Sequence, residues 1–439
     1  MKYYLAIDIG ASSGRHIVGW LDDNNEIVTK EVYRFKNSVI SKENHLLWDI
    51  DNILKEVKEG IKIALKLFDN IETMSIDTWG VDYVLMNGDK EIPPFYAYRD
   101  NRTKDIIEKV HDLIPFDELY KITGTQFQEF NTIYQLYCDK LEGRLEHATD
   151  FLMIPEYLMY KLTNVKVKEY TNASTTGMMH LNSNAFSLKI INKLGLNNLF
   201  FEKLSNPGTI VGDFSKEIQR ELGGNIKVVL CPTHDTASAV EGIIMKENAP
   251  YISSGTWSLL GIKLPYGINS LESQKSNFSN EYGPNYIRYQ KNIMGLWIIQ
   301  CLAKQMNLDF PTMVELAKES DYLEIYDVND QCFLSSLDMK NEIINYFKRN
   351  NRPLPKNDSD LINSTYRSLA HSYKESLEEL ESLTKLKFNY LYIVGGGAKN
   401  EYLNDLTEKF CSKKVIALPI EATAIGNLYT QINNNERRK

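Results

Sequence analysis

A single carboxylate, Asp8, ends the apolar run Leu5-Ala6-Ile7 and leads into Ile9-Gly10-Ala11-Ser12-Ser13-Gly14-Arg15. An unpaired charge at the end of a buried strand is costly, so Asp8 needs a partner. A metal ion with its water shell, beside a nucleotide, would supply one. The small residues that follow suit the same ligand. Glycines permit a tight path and φ > 0, while exposed N–H groups and hydroxyls face phosphate oxygens. The plainer alternative is an ordinary β-hairpin, because a second apolar run, Ile17-Val18-Gly19-Trp20-Leu21, carries the chain away.

A second carboxylate stands in a different setting. His234-Asp235-Thr236 follows the apolar run Val228–Cys231 and opens the small-residue helix predicted from Ala237. Asp235 or Thr236 there can serve simply as an N-cap. The same geometry also suits catalysis, because a helix N-terminus favours an ionised carboxylate. Such a group can accept the proton of an alcohol that attacks a γ-phosphate. His234 can bond substrate hydroxyls, or be a structural histidine.

Further along, Tyr251-Ile252-Ser253-Ser254-Gly255-Thr256-Trp257-Ser258-Leu259 repeats the opening logic of strand, small-residue turn and strand. Two such hairpins, some 240 residues apart, suggest a duplicated domain with the turns facing each other. Gly395-Gly396-Gly397 ends the apolar run Tyr390–Val394, but no glycine follows at the dinucleotide spacing. Bare backbone against a flat ligand such as a base or ribose is one use, and a flexible strand-to-helix turn is the other. Asn292 to Gln300 reads as the start of a mostly apolar helix, with Asn292 at its start and Gln300 two turns on as possible ligand contacts. The Walker spacing is absent, as are a Ser-His-Asp arrangement and a metal-ligand cluster.

The elements that must hold these residues follow from periodicity. Strands are predicted over 3–9, 16–21 and 26–35. A helix then carries Ile53, Leu54, Val57, Ile61, Ala64, Leu65 and Phe68 on one face, with Asp51 as N-cap. A buried strand from Thr73 to Asp77 runs into Thr78-Trp79-Gly80-Val81-Asp82. This β-β-β-α-β order is not the opening of a doubly wound dinucleotide fold. Helices are expected over 104–114, 132–147 and 151–162, and after about Asn400.

The 439 residues are too many for one ordinary core and suggest two or three domains; a second half that begins near 245 divides the chain as 1–244 and 245–439. With 43% hydrophobic and 25% charged residues the chain reads as globular, and its net charge of -8 argues against nonspecific nucleic-acid binding. Five scattered cysteines without a CxxC pair suggest a reducing compartment and no zinc site. No signal peptide or membrane span is expected, which places the protein in the cytoplasm.

Assembled, the chain resembles the FGGY carbohydrate kinases. The resemblance rests on Asp8–Arg15, Ile76–Asp82, Tyr98-Arg99-Asp100, Phe130-Asn131-Thr132, Glu169–Ala173 and His234–Ala239. In the second half it continues through Ser253–Ser258, Asn292–Gln300, Gly395–Gly397 and Glu421-Ala422-Thr423, in the family's order and over nearly the whole chain. It implies an α/β fold like the actin–hexokinase–Hsp70 (ribonuclease H-like) ATPases: two domains with mixed central sheets flanking a cleft. The first would bind sugar and phosphate and hold the base, and the second would bind the nucleotide. By resemblance Asp235 is the catalytic base, and Asp8 holds Mg²⁺ through water. Ala11, Ser12, Ser13, Gly14, Arg15, Thr256, Gln300, Gly396 and Gly397 match nucleotide positions. Gly80, His234, Asp235, Thr236 and Asn292 match sugar positions.

The implied reaction is transfer of the ATP γ-phosphate to the 1-hydroxyl of L-rhamnulose, by a monomer or homodimer. L-fuculose or L-xylulose are alternative acceptors, and a non-catalytic ATP-dependent switch or sugar sensor is a further one. A sensor that bound DNA would need a basic helix-turn-helix segment, which is not expected here. The chain stops soon after Glu421–Asn427, whereas the family continues through further helix. The expectation is a missing C-terminal helix and uncovered apolar surface.

Overall fold

A computed structural model of the protein describes residues 1–245, 247–334, 336, 338–418 and 421–436. Two units form. The first comprises 1–244, 264–288 and 421–439, and the second 245–263 and 289–420. The first unit therefore takes back the C-terminal end of the chain. No helix among the described residues is long and apolar enough to cross a membrane.

The first unit is built on a six-stranded mixed sheet. Its order is Ile210–Asp213, Lys227–Val229, Ile71–Thr78, Tyr3–Ile9, Ser13–Leu21 and Ile27–Lys36. Tyr3–Ile9 pairs antiparallel with Ser13–Leu21 and parallel with Ile71–Thr78, so Asp8 lies beside Arg15 on one side and Asp77 on the other. These central strands are buried on both faces because helices cover both, with Thr73, Ser75 and Asp77 making one face of Ile71–Thr78 polar. On one face lies the helix Ile50–Leu67, with Ile53, Val57, Gly60, Ile61 and Ala64 buried at helical spacing. Its N-cap is Asp49, whose carboxylate accepts from the Asn52 N–H at 3.0 Å, and not Asp51, which lies in the first turn.

On the other face lies Ala422–Glu436, whose Ala424, Leu428 and Ile432 pack against Tyr4, Ala6 and Ile17. A satellite core in the same unit joins a three-stranded sheet (Lys90–Ile92, Tyr83–Asn87, Asp150–Met153) to the surrounding helices. Here the strand Asp150–Met153 precedes the helix Ile154–Thr163, where one helix over 151–162 was expected. The helix expected over 132–147 ends at Leu141, and a separate short turn covers Arg144–Glu146.

The second unit repeats the topology. Tyr251–Ser254 pairs antiparallel with Trp257–Leu264 and parallel with Tyr390–Val394, which pairs parallel with Lys414–Leu418. The two hairpins are closed alike. Gly10 N–H donates to Ser13 O at 2.9 Å, and Gly255 N–H to Trp257 O at 2.9 Å. The helix Asp358–Thr384 runs behind this sheet with a long buried face. Asn292 is not at a helix start as expected. It lies in the strand Tyr286–Met294, and the helix begins at Trp297.

Candidate active site

The turn after Asp8 is narrower than expected, because Ser13, Gly14 and Arg15 already belong to the second strand. Neither Gly10 nor Gly14 adopts a positive φ. Gly14 is needed for another reason: a side chain there would collide with the ring of Phe35 on the neighbouring strand. The free loop is Gly10-Ala11-Ser12, and Asn37 clamps it. Asn37 donates from Nδ2 to Gly10 O at 2.9 Å and from its backbone N–H to Ser12 O at 3.0 Å. Both bonds occupy carbonyls, which keeps the acceptors of the turn engaged.

Around Asp8 the first unit gathers negative charge. The Arg15 guanidinium donates to Asp8 Oδ2 at 2.6 Å and also pairs with Glu421, just before the C-terminal helix. Asp77, on the parallel neighbour, accepts from Asn427 Nδ2 at 2.6 Å, while its Oδ1 is buried with no protein partner. Burial raises the Asp8 pKa above the usual carboxylate range, against the pull of Arg15, and Asp235 pushes in the same direction as burial. Asp77 is raised further by burial and then by the charge of Asp8. Asn427 itself is held by Gln431 one turn later. The Gln431 Nε2 donates to Asn427 Oδ1 at 2.7 Å and to Leu5 O at 3.1 Å.

Asp235 is the first residue of the helix Asp235–Glu241. The end of the strand Ile71–Thr78 fixes the approach to it, since Thr78 N–H donates to Thr233 O at 2.9 Å. The buried Glu169 carboxylate holds the same loop, accepting from Thr233 Oγ1 at 2.7 Å and from Thr171 and Asn172. Asp235 Oδ1 accepts from the Thr236 N–H at 2.6 Å and from Thr236 Oγ1 at 3.1 Å. Its Oδ2 has no protein partner among the described residues, and the side chain is 30% exposed. A half-open carboxylate with one fixed oxygen and one free one is placed to accept a proton.

His234, beside it, faces Glu281 and Arg288 through Nδ1. Gly80 opens a turn in which Asp82 N–H donates back to Gly80 O at 2.9 Å, and Val81 takes φ 67°. A β-branched residue in that region is strained. Thr132 Oγ1, donating to Val81 O at 2.6 Å, and Thr175 Oγ1, accepting from Val81 N–H at 3.0 Å, hold it there. Asp82 is buried under Trp48 and Trp79, both of which donate to its Oδ2, and burial lifts its pKa to about 6.

In the second unit Thr256 Oγ1 donates to Gln300 Oε1 at 3.2 Å, which joins two of the expected nucleotide positions. Gln300 lies in the first turn of the helix Trp297–Met306. Of the three glycines, Gly395 takes φ 83° and Gly397 packs so closely on Ser254 that a side chain would clash. Gly396 is exposed with open space where a side chain would be, so its bare backbone is accessible.

Residues 3–242 match the N-terminal domain of the FGGY family of carbohydrate kinases, and residues 250–433 match its C-terminal domain. The chain belongs to the FGGY family of carbohydrate kinases. It is 42% identical over 434 residues to the rhamnulokinase of Oceanobacillus iheyensis, covering 98% of this chain and 92% of that one. It is 38% identical over 437 residues to that of Bacillus subtilis, covering 98% and 90%. In fold it is similar to a xylulose kinase from Lactobacillus acidophilus, with a TM-score of 0.84 at 14% identity over 100% of this chain and 90% of that one. A Plasmodium falciparum glycerol kinase solved with ADP gives a TM-score of 0.79 at 15% identity, over 100% and 90%. The fold is the two-domain fold of these sugar kinases, with a mixed sheet in each unit, as the resemblance implied. The family is one of ATP-dependent enzymes.

Several residues around the carboxylates were given no role in the sequence, Asp77 and Glu169 although they lie in motifs quoted there. Asn37, Asp77, Glu169, Glu281, Arg288 and Asn427 each bond to a site residue or its loop. One signal was available for Asn427. It and Gln431 are polar residues one helical turn apart, each next to the apolar row Ala424, Leu428 and Ile432.

Proposed function

We propose that this chain transfers the γ-phosphoryl group of ATP to the 1-hydroxyl of L-rhamnulose, giving L-rhamnulose 1-phosphate and ADP. The observation that carries the reading is identity of about 40% over nearly the whole chain to proteins named rhamnulokinases. The geometry of Asp235 supports it. The O1 oxygen attacks the γ-phosphorus, the bond to the β–γ bridging oxygen breaks, and the hydroxyl proton passes to Asp235 Oδ2. Thr236 ties down Oδ1, so the free oxygen keeps one orientation.

His234, Thr236, Gly80 and Asn292 hold the sugar in this reading. Ala11 to Arg15, Thr256, Gln300, Gly396 and Gly397 hold the nucleotide. Mg²⁺ fits beside Asp8. Burial and the charge of Asp235 raise the proton affinity of Asp8, burial and the charges of Asp8 and Asp235 raise that of Asp77, and Asp77 Oδ1 is buried and unpartnered. The contribution of Mg²⁺ when bound is to neutralise charge on the transferring phosphates.

The test is a coupled ADP-release assay with purified protein across L-rhamnulose, L-fuculose, L-xylulose and glycerol. L-Rhamnulose should give the highest kcat/KM. A higher value for any of the others would overturn the substrate assignment.

A further inference from the structure

Arg288 is fully buried, and its guanidinium points at the residue beside the candidate base. Its Nη2 donates to Glu281 Oε2 at 2.9 Å and lies 3.2 Å from His234 Nδ1. Its Nε donates to Tyr282 O at 3.2 Å, which fixes the plane of the fork. Glu281 Oε2 is itself 3.3 Å from His234 Nδ1. On the other edge of the ring, His234 Nε2 lies 3.4 Å from Asp235 Oδ1. Glu281 and Arg288 lie on the neighbouring strands Ser279–Gly283 and Tyr286–Met294, which mounts the bonded pair on regular structure.

A guanidinium has only N–H donors and does not lose its proton in a protein. Nη2 carries two hydrogens, enough for Glu281 and for one more acceptor. A proton on His234 Nδ1 would set two donors against each other at 3.2 Å. The lone pair at Nδ1 instead completes the second Arg288 bond at 3.2 Å, in preference to an Nδ1–H donating to Glu281 Oε2 at 3.3 Å, and the ring proton then sits on Nε2. We propose that Arg288, anchored by Glu281, is a positioning residue that locks His234 as the Nε2–H tautomer and so fixes what the His234–Asp235 pair offers the sugar. This rests on the sugar-kinase reading above. In that reading Nε2–H presents a donor, to be met by a lone pair on the sugar oxygen next to the reacting hydroxyl. Asp235 Oδ2 presents the acceptor. A donor and an acceptor in fixed order select one orientation of the sugar.

Selective ¹⁵N-histidine labelling of the full chain tests the tautomer directly, with His234→Gln assigning the resonance. At neutral pH and without substrate, wild-type His234 should show an unprotonated Nδ1 and a protonated Nε2. A protonated Nδ1 would overturn the proposal, whatever the substrate proves to be. Kinetics give the second arm. Arg288→Met should raise the KM for L-rhamnulose about tenfold, the size expected for one lost buried hydrogen bond. The KM for ATP should stay within about twofold, and Arg288→Lys, which keeps a donor, should recover part of the loss. Equal rises in both KM values, or no recovery by lysine, would show a merely structural role and overturn the positioning claim. The wild-type spectrum decides the tautomer even if Arg288→Met does not fold. If L-rhamnulose were not the substrate, the tautomer would stand while the substrate reading fell.

Discussion

At the scale of single residues the site separates two carboxylate environments. Burial pushes Asp8 and Asp77 toward the protonated form, and the charge of Asp8 adds to the push on Asp77, whereas Asp235 stands half-open at a helix start. A buried carboxylate pair suits a bound cation. A carboxylate with one oxygen free suits proton transfer. Asp235→Asn keeps an oxygen for Thr236 and removes the proposed base. Turnover with L-rhamnulose should fall about 10²- to 10⁴-fold, as expected for lost general-base catalysis. ATP affinity by calorimetry should stay unchanged, because the turn at Gly10–Ser12, proposed to hold phosphate, is clamped by Asn37 and has no bond to Asp235. An Asn variant that turned over normally would show that the proton leaves by another route. Asp8 and Asp235 stood out in the sequence as candidates because they sit in short local motifs. Glu281, Arg288 and Asn427 did not, since each reaches the site from tens to hundreds of residues away in sequence and carries no local pattern of its own.

At the scale of elements the sheet of the first unit depends on a close joint. His16 on the second strand is fully buried, with Nε2 at 3.1 Å from Val57 O in the helix Ile50–Leu67. Gly60 on that helix leaves room for its ring, and a methyl group there would strike it. Burial lowers the His16 pKa to about 4. The folded pKa lies below the ordinary value near 6.5, so the unfolded chain binds the extra proton first. The contribution is therefore intact above about pH 6.5 and is lost as pH falls toward 4, up to about 3 kcal/mol. His16→Phe should flatten that part of the stability–pH curve, measured by urea unfolding at pH 7, 6 and 5. Parallel curves for both proteins would show that His16 does not titrate across this range. Gly60→Ala should cost about 1–3 kcal/mol at every pH by overpacking the same joint. Pattern reading found this helix but placed its cap two residues late, which is the usual resolution of end signals. It failed at Asn292, where a short apolar run fits a buried strand as well as a helix.

At the scale of the whole molecule the two units are not two halves of the sequence. The helix Ala422–Glu436 returns to the first unit, where a linear reading of the sequence had put the chain's last segment in the second domain. No local signal could show this, because an amphipathic helix does not say which sheet it covers. Leu428 and Ile432 bury nearly all their surface against the first sheet, about 1.5–3 kcal/mol each. The buried ladder from Asp77 through Asn427 and Gln431 to Thr73 and Leu5 adds bonds that would otherwise leave polar groups orphaned. Gly426 lets the helix approach Ser238 too closely for any side chain, and Ser238 Oγ donates to Thr423 O at 3.0 Å. The last helix thus braces both the central strands and the helix that Asp235 begins. Together these terms are comparable to the roughly 5–15 kcal/mol that keep an ordinary domain folded. A chain cut before Glu421 should lose amide-exchange protection over Tyr3–Ile9 and Ile71–Thr78 while Tyr390–Val394 stays protected. Phosphoryl transfer should be lost with the first set. If the two sets of strands instead lost protection together, the C-terminal helix would be stabilising the entire chain and not one unit of it.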